Sequence, residues 1–359
     1  MLKGILRQGT TDTPATQENI AAALAGKDFF WLDLDDVDKH HKAGTDGTAL
    51  AGGAGGKDDP GGKDGDEDTV SELLSTTFKF HPLAVQASER WWQRPRIDDY
   101  GTFDFMVARG ADPKRTGDAE VHIFLTDRYV VTVHRGECGP LSHARDRLDL
   151  HPVARSEAPL QLVVVYMVIG ALVDSYFPVL NNFDERIDTL ENAILAKPTQ
   201  DQVHQLFEMK RSLMMMRRVV APERDMLASI NDGVIDIPGM TDDAGRYFRD
   251  LYDHLIRLAD LIDNYRDLLS DAMDTHLSTV SNRLNQVMKQ LTIIATIFLP
   301  LSFLTGFFGQ NFAYLVRGIA PAWTFYAFGI GVELVVVIGM LVLFYQRGWI
   351  DRKNQAQTV

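Results

Sequence analysis

Along this chain the polar and apolar positions keep helical or strand periods for most of its length, and then the polar positions disappear. A polar helical pattern beginning at Ser281 turns apolar without a break, and from Gln290 to Val316 there is no Lys, Arg, Asp or Glu. About 20 such residues cross the hydrocarbon core of a bilayer, so this stretch predicts a transmembrane helix. A second follows at Trp323 to Tyr345, apolar apart from Thr324 and Glu333. The short connection between them predicts a tight hairpin. Arg283 and Lys289 precede the first span, and Arg347, Arg352 and Lys353 follow the second. That bias places both termini on the cytoplasmic side, and Arg317 in the hairpin weakens it without reversing it.

Upstream, the periods predict a folded domain. Thr16 to Ala25 reads as a helix and Phe29 to Leu34 as a strand, followed by helices over Val70 to Thr76 and Pro82 to Trp92. Tyr100 to Ala108 alternates as a half-buried strand, and Glu120 to Leu125 with Tyr129 to His134 flank a hairpin turn at Thr126-Asp127-Arg128. Strands and helices in this order predict an α/β domain on a mixed sheet. Between them, Ala43 to Asp68 is Gly, Asp and Lys with almost no apolar content, which predicts a disordered insertion. Its aspartates lack the closing Glu and flanking helices of a calcium loop.

Leu160 to Val173 is almost wholly apolar, but Asp174 ends it at about 14 residues, the length of a buried core helix and short for a span. Phe183, Ile187, Leu190 and Ile194 then mark an amphipathic helix, closed by Pro198 and followed by another over Asp201 to Ile230. The next helix starts near Asp242 or Asp243, either of which can cap it, and nothing but Pro300 interrupts it before Phe308. Leu251, Leu255, Leu258, Ile262, Tyr265 and Leu269 form its packing seam. Such a helix would run on the order of 95 Å at the usual rise per residue. One chain supplies only two spans, so a pore requires several copies around an axis.

The expected organisation is a cytosolic α/β domain over 1–158 with a disordered insertion at 43–68, then a long helical hairpin over 159–242. A stalk helix continuing into the first transmembrane helix occupies 243–309, an extracytoplasmic loop 310–322, the second transmembrane helix 323–346 and a basic cytosolic tail 347–359.

Composition narrows the chemistry. The net charge of -13 over 359 residues argues against a nucleic-acid partner, which needs clustered Lys and Arg. A single Cys138 excludes intramolecular disulfides and fits a reducing compartment. Met1 to Gly26 lacks the apolar core of a signal peptide. No Walker-type loop, metalloprotease spacing or nucleophile motif points to an enzyme. On the first span, Asn285, Met288, Ala295, Leu299, Ser302 and Gly306 keep small, polar or flexible groups on one face, with Ile293, Ile297, Phe298 and Phe303 set against it. Such a face either packs tightly on another helix or lines a narrow conduit.

The run Leu291 to Phe312, ending in Gly309-Gln310-Asn311, closely resembles the CorA family of magnesium transport proteins, whose first transmembrane helix ends in a Gly-Met-Asn signature. Ser281 to Thr292, Tyr247 to His254, His81-Pro82-Leu83 and Arg94-Pro95-Arg96 are similar to that family too. The resemblance implies a funnel-shaped homopentamer in the cytoplasmic membrane, with five copies of the first helix around the pore. It implies Mg²⁺ as the transported and regulatory ion, drawn inward by the membrane potential.

By the same resemblance Gly309, Gln310 and Asn311 form the outer mouth, with Gln310 standing where the family has Met. Amide oxygens there suit the water shell of Mg²⁺, which prefers oxygen and dehydrates reluctantly. Asn285 matches a second Asn ring, Met288, Leu291 and Leu299 the apolar constrictions, Ser302 and Gly306 the small positions between them, and Asp274 an acid at the cytoplasmic end. Asp250 matches an acid that shares a regulatory ion with the neighbouring subunit, for which Asp112 is the candidate partner and Asp253 a further contributor. Because a zinc-transporting branch of the family also alters the middle of the signature, transport of Zn²⁺, or of Co²⁺ or Ni²⁺, stays open. Glu333 is an intramembrane acid and hence a candidate proton site. A non-conducting, membrane-anchored cation sensor is the remaining alternative.

Overall fold

The computed structural model describes residues 3–36, 70–112, 117–150, 158–310 and 322–349. The expected insertion at Ala43 to Asp68 lies outside them, as do all but the ends of the expected outer loop and basic tail. The chain forms two units, one of Met1–Leu190 with Val203–Ala272 and the other of Glu191–Gln202 with Met273–Val359.

The first unit is built on a seven-stranded mixed sheet in the order β2-β1-β3-β7-β6-β5-β4. Its strands are β1 (Lys3–Gln8), β2 (Thr11–Pro14), β3 (Phe30–Asp35), β4 (Arg96–Asp99), β5 (Asp104–Asp112), β6 (Gly117–Leu125) and β7 (Tyr129–His134). Only β3 and β7 pair in parallel, and every other neighbouring pair is antiparallel. The β6–β7 hairpin turns where the alternating pattern predicted, with Thr126 Oγ1 accepting the backbone N–H of Tyr129 at 2.9 Å. The β1–β2 hairpin was not legible in that pattern. Its turn uses Gly9 at φ 60°, a left-handed conformation that a residue without Cβ adopts at no steric cost.

Helices cover both faces of the sheet. Against one face lie α1 (Gln17–Ala25), a turn of helix α2 (Val70–Glu72) that widens into a π-helical turn over Leu73–Thr77, and α3 (Pro82–Ser88), around a core of Leu32, Phe80, Phe105 and Phe124. Thr16 caps α1 by accepting the N–H of Asn19 at 3.3 Å, and the His81 ring caps α3 by accepting that of Leu83 at 3.2 Å, with Pro82 at the first helical position. The chain departs from the predicted helix over Pro82 to Trp92, because α3 stops at Ser88. Trp92 there has φ 66°, held by the Glu120 carboxylate, which accepts the backbone N–H groups of Trp92 at 2.7 Å and Gln93 at 3.2 Å. The strand expected from Tyr100 likewise begins only at Asp104, since Tyr100 to Phe103 is a turn closed by Tyr100 N–H to Phe103 O at 3.0 Å.

The other face carries α4 (Gly139–Leu150) and α5 (Leu160–Asp174). Of the apolar stretch within Leu160–Ala196, 67% is buried inside the chain, so α5 spends its hydrophobic surface on the sheet. Close approach is possible because Gly110 of β5 lies against Leu172 and Ser175, where a Cβ would come within 2.7 Å of a backbone oxygen. The polar groups of this layer are mutually satisfied around Asp33. Thr132 Oγ1 donates to Asp33 Oδ1 at 2.6 Å, Arg145 Nη2 to Oδ2 at 2.9 Å, and the buried Trp31 indole to Thr132 Oγ1 at 3.0 Å. Any one left unpaired would cost about 1–3 kcal/mol.

Two further helices, α6 (Tyr176–Ala196) and α7 (Gln200–Asn231), are joined by Lys197-Pro198-Thr199, where the Gln202 side chain accepts the N–H of Thr199 at 2.8 Å. Phe183, Ile187, Leu190 and Ile194 are all buried, as their spacing predicted. The next helix is α8 (Asp242–Phe308), 67 residues without a break at Pro300. Its cap is Thr241, which accepts the N–H of Ala244 at 3.2 Å, so the expected cap at Asp242 or Asp243 is corrected. Those two acids occupy the first turn, where the helix dipole favours them. Of the predicted seam, Leu251, Leu255, Leu258, Ile262 and Leu269 are buried and Tyr265 is half-buried. In the second unit a helical turn at Ala322–Thr324 and a π-helical stretch at Phe325–Gly331 lead into α9 (Val332–Gln346).

Glu223 of α7 is fully buried and accepts only the backbone N–H of Arg109, at 3.2 Å, on Oε1. Burial pushes its carboxyl up to about 8, against the opposing pull of Arg109. The folded chain therefore holds a proton that an ordinary glutamate in the unfolded chain has released. Stability should fall as pH rises from about 4.5 to about 8, by up to about 1.4 kcal/mol per pH unit, and level off above. Thermal unfolding of the solubilised protein across that window should show a smaller loss in Glu223→Gln than in the wild type. Equal losses would mean that Glu223 ionises freely.

Candidate functional site

The C-terminal half of α8 is helical because its apolar residues leave the backbone nowhere else to hydrogen-bond, and none of its apolar stretch is buried against its own chain. At about 100° of rotation per residue, Asp274, Asn285, Met288, Leu291, Ala295, Leu299, Ser302 and Gly306 fall within an arc of about 120°. All are exposed in the protomer, Leu299 at 75%. Lys289, Ile293, Ile297, Pro300, Leu304 and Phe308 lie on the other side and are half-buried. The stripe singled out in the sequence therefore faces away from its own chain. A Cβ at Gly306 would meet nothing, so this face is open to other molecules. Phe298 and Phe303 were expected to oppose the stripe along with Ile293 and Ile297. Both are instead exposed, at 65% and 71%, because their azimuths flank it on either side.

At the end of α8, Gly309 N–H donates to Thr305 O at 2.9 Å and Gln310 N–H to Phe307 O at 3.3 Å. Gly309 and Gln310 are thus held on the last helical turn and both are exposed. Asn311 and Arg317 lie outside the described residues. Glu333 is half-buried and follows the π-helical stretch Phe325–Gly331 by two positions. At the opposite end of the span, Lys289 Nζ donates to Gly348 O at 3.1 Å, and Trp349 stacks on Phe344 with centroids 5.6 Å apart.

In the first unit Asp250 sits on α8 with its side chain 50% exposed. Tyr166 of α5 donates its hydroxyl to Asp250 Oδ2 at 3.0 Å. Burial first, and then this bond, push the Tyr166 phenol up to about 12, so it stays a donor. His254, one helical turn on, lies 3.8 Å from Asp250 Oδ1 by Nε2 and 3.6 Å from Asp174 Oδ1 by Nδ1. Arg147 Nη1 holds the other oxygen of Asp174 at 3.0 Å. Sequence reasoning found Asp250 and missed Tyr166, Asp174, His254 and Arg147, although the four-residue step from Asp250 to His254 was a readable signal. Asp253 is exposed on the same helix and is not drawn into this cluster. Asp112 ends β5, paired with Gly117, and its side chain is not among those described. Among the described residues, no three His, Cys, Asp or Glu side chains of one chain converge tightly enough to hold a metal ion.

Residues 64–347 match the family model described as CorA-like Mg2+ transporter protein. YfjQ of Bacillus subtilis (strain 168), provisionally named a metal ion transporter, is 33% identical over 288 residues, covering 80% of this chain and 88% of that protein. The cobalt/magnesium transport protein CorA of Thermotoga maritima is 33% identical over 287 residues, covering 78% and 80%. The solved CorA magnesium transporter of Methanocaldococcus jannaschii superposes with a TM-score of 0.75 at 18% identity, covering 98% of this chain and 99% of that one. That likeness extends the shared fold along the full chain.

The open stripe yields a direct expectation. Gly306→Leu should leave the assembled protein and its thermal midpoint intact while abolishing cation flux. Loss of assembly with residual flux in the remaining protein would mark the stripe as a packing surface.

Proposed function

The chain belongs to the CorA-like Mg2+ transporter family, and we propose that it is a divalent-cation channel that admits Mg²⁺ across the cytoplasmic membrane. The observation that carries this reading is the stripe from Asp274 to Gly306, in which Asp274, Asn285, Ala295, Ser302 and Gly306 are interleaved with Met288, Leu291 and Leu299, and which is turned away from its own chain on an unbroken helix. Five such stripes around an axis would close a conduit, with both termini cytoplasmic. Gly309, Gln310 and Asn311 would form the outer mouth, where amide oxygens hydrogen-bond a hydrated ion. Asn285 would repeat that chemistry deeper in, Asp274 would hold cations at the cytoplasmic end, and Met288, Leu291 and Leu299 would close by dewetting. Inward movement needs no nucleotide, because a divalent cation gains about 4.6 kcal/mol per 100 mV, twice the single-charge value.

Regulation would use Asp250. Its carboxylate is half-exposed, and among the described residues its own chain supplies a hydroxyl and an imidazole but no converging set of acids. A cation bound there would draw its remaining ligands from a neighbouring subunit, with Asp112 the candidate partner and Asp253 a further contributor. Intracellular Mg²⁺ would bridge carboxylates that otherwise repel, holding the closed state.

A zinc reading is favoured by Gln310 at the mouth and by Glu333 beside a π-helical stretch, a distortion frequent at functional sites. In that case Glu333 would carry the coupled proton.

Uptake into liposomes of purified protein under an inside-negative potential tests both. Mg²⁺ entry that rises with potential and is lost in Asn311→Ala supports the channel. Zn²⁺ entry that requires a proton gradient and is lost in Glu333→Gln would replace it, and no flux of any cation would leave a sensor. In the channel case Asp250→Asn should keep conducting at internal Mg²⁺ concentrations that silence the wild type.

A further inference from the structure

Asp104 opens β5 at a register position that faces Asp99 of β4 on one side and Leu125 of β6 on the other. It lies on the same face of the strand as Gly110, the face on which α5 packs. Asp104 is fully buried, and neither of its carboxylate oxygens has a hydrogen-bond partner. That is the opposite of Asp33 in the same layer, whose two oxygens accept from Thr132 and Arg145. Two more carboxylates act on Asp104: Asp99 directly across the strand pair, and Asp236 in the segment between α7 and α8. Burial first, and then these two charges, push the Asp104 carboxyl up to about 7.

Like charges opposite one another destabilise a sheet, and an unpaired buried carboxylate costs more still. A proton would silence Asp104 alone. A divalent cation would answer all three. Among the described residues no three acids form a group tight enough for a bare ion, so an ion here would be a hydrated one, as Mg²⁺ commonly keeps several waters and takes only one or two carboxylates directly. Asp99 commits Oδ1 to the Gly101 N–H at 2.6 Å, an orientation that fixes its carboxylate beside the turn into β5.

We propose that Asp104, Asp99 and Asp236 form a binding site for a hydrated divalent cation of the Mg²⁺ class, separate from the Asp250 cluster. The site shares no residue with the pore stripe and does not depend on conduction. Its structural consequence lies in Asp236. Three residues beyond it Gly239 packs on Gln161 and Pro159 at the start of α5, and five residues beyond it Thr241 caps α8. An occupied site would fasten the segment leading into α8 to the sheet.

Mn²⁺ binding to the full-length protein in lipid nanodiscs, read by electron paramagnetic resonance at about pH 8, above the value to which burial raises Asp104, tests this. Wild type should bind one more Mn²⁺ per chain than Asp104→Asn. Asp236→Asn should weaken that ion roughly tenfold, the scale of a supporting ligand, and Asp250→Asn should retain it. Asn at 104 removes a buried charge, so this variant should melt no lower than the wild type without cation. If it fails to fold, Asp99→Asn reports on the same ion. Wild-type Mn²⁺ stoichiometry and affinity in the folded Asp104→Asn or Asp99→Asn variant would overturn the site and leave Asp104 as a buried neutral acid.

Discussion

The constraint on which this molecule depends is the apolar stretch at the C-terminal end of α8, no residue of which is fully buried by its own chain. In water such a helix would be untenable. In a bilayer its backbone is satisfied internally, and the remaining question is what meets each face. Lipid suits the exposed Phe298 and the outward surface of α9, but it does not suit a column that includes Asn285, Ser302 and Gly306. Polar and small groups in a membrane face other helices or water, and in the proposed channel the stripe meets further copies of the chain. The contrast within the same sequence is α5, equally apolar, whose surface is already covered by the sheet and by α4.

Charge is arranged in the soluble unit with a similar economy. Asp33 is buried and saturated with donors, which makes it a structural element that specifies how α4 meets the sheet. Asp250 is half-exposed and only partly engaged, by Tyr166 and His254. Glu223 and Asp104 are buried and under-satisfied. A carboxylate's degree of satisfaction distinguishes Asp33 from Asp250 and Asp104 better than its burial does, because each hydrogen bond and ion pair it accepts makes it less available to a cation.

What could be read from sequence follows the same physics. The β6–β7 hairpin, the buried α5, the α6–α7 pair and the unbroken α8 each announce themselves through long apolar periods, since each buries a continuous face. The β1–β2 hairpin and β4 were illegible because β2 and β4 are the edges of the sheet, and their sequences, Thr-Asp-Thr-Pro and Arg-Ile-Asp-Asp, carry the charges and Pro that protect an edge. The end of α3 depended on Glu120, about thirty residues away, gripping the backbone at Trp92. At the candidate sites, motif and helical spacing pointed to the α8 stripe and to Asp250. Asp174, Tyr166 and Arg147 join that cluster from α4 and α5, and Asp236 approaches Asp104 from a distant segment, so no local pattern could have grouped them.

In the proposed channel, copies of the α8 stripe surround a water-filled path. The single native Cys138 makes this testable with little background. In a Cys138→Ser protein, Ser302→Cys and Ile297→Cys would each be challenged with a small, charged, thiol-reactive methanethiosulfonate while flux is recorded. Cys at 302 should react and flux should stop, while Cys at 297 stays protected and flux persists. Rapid reaction and block at 297 with protection at 302 would contradict it.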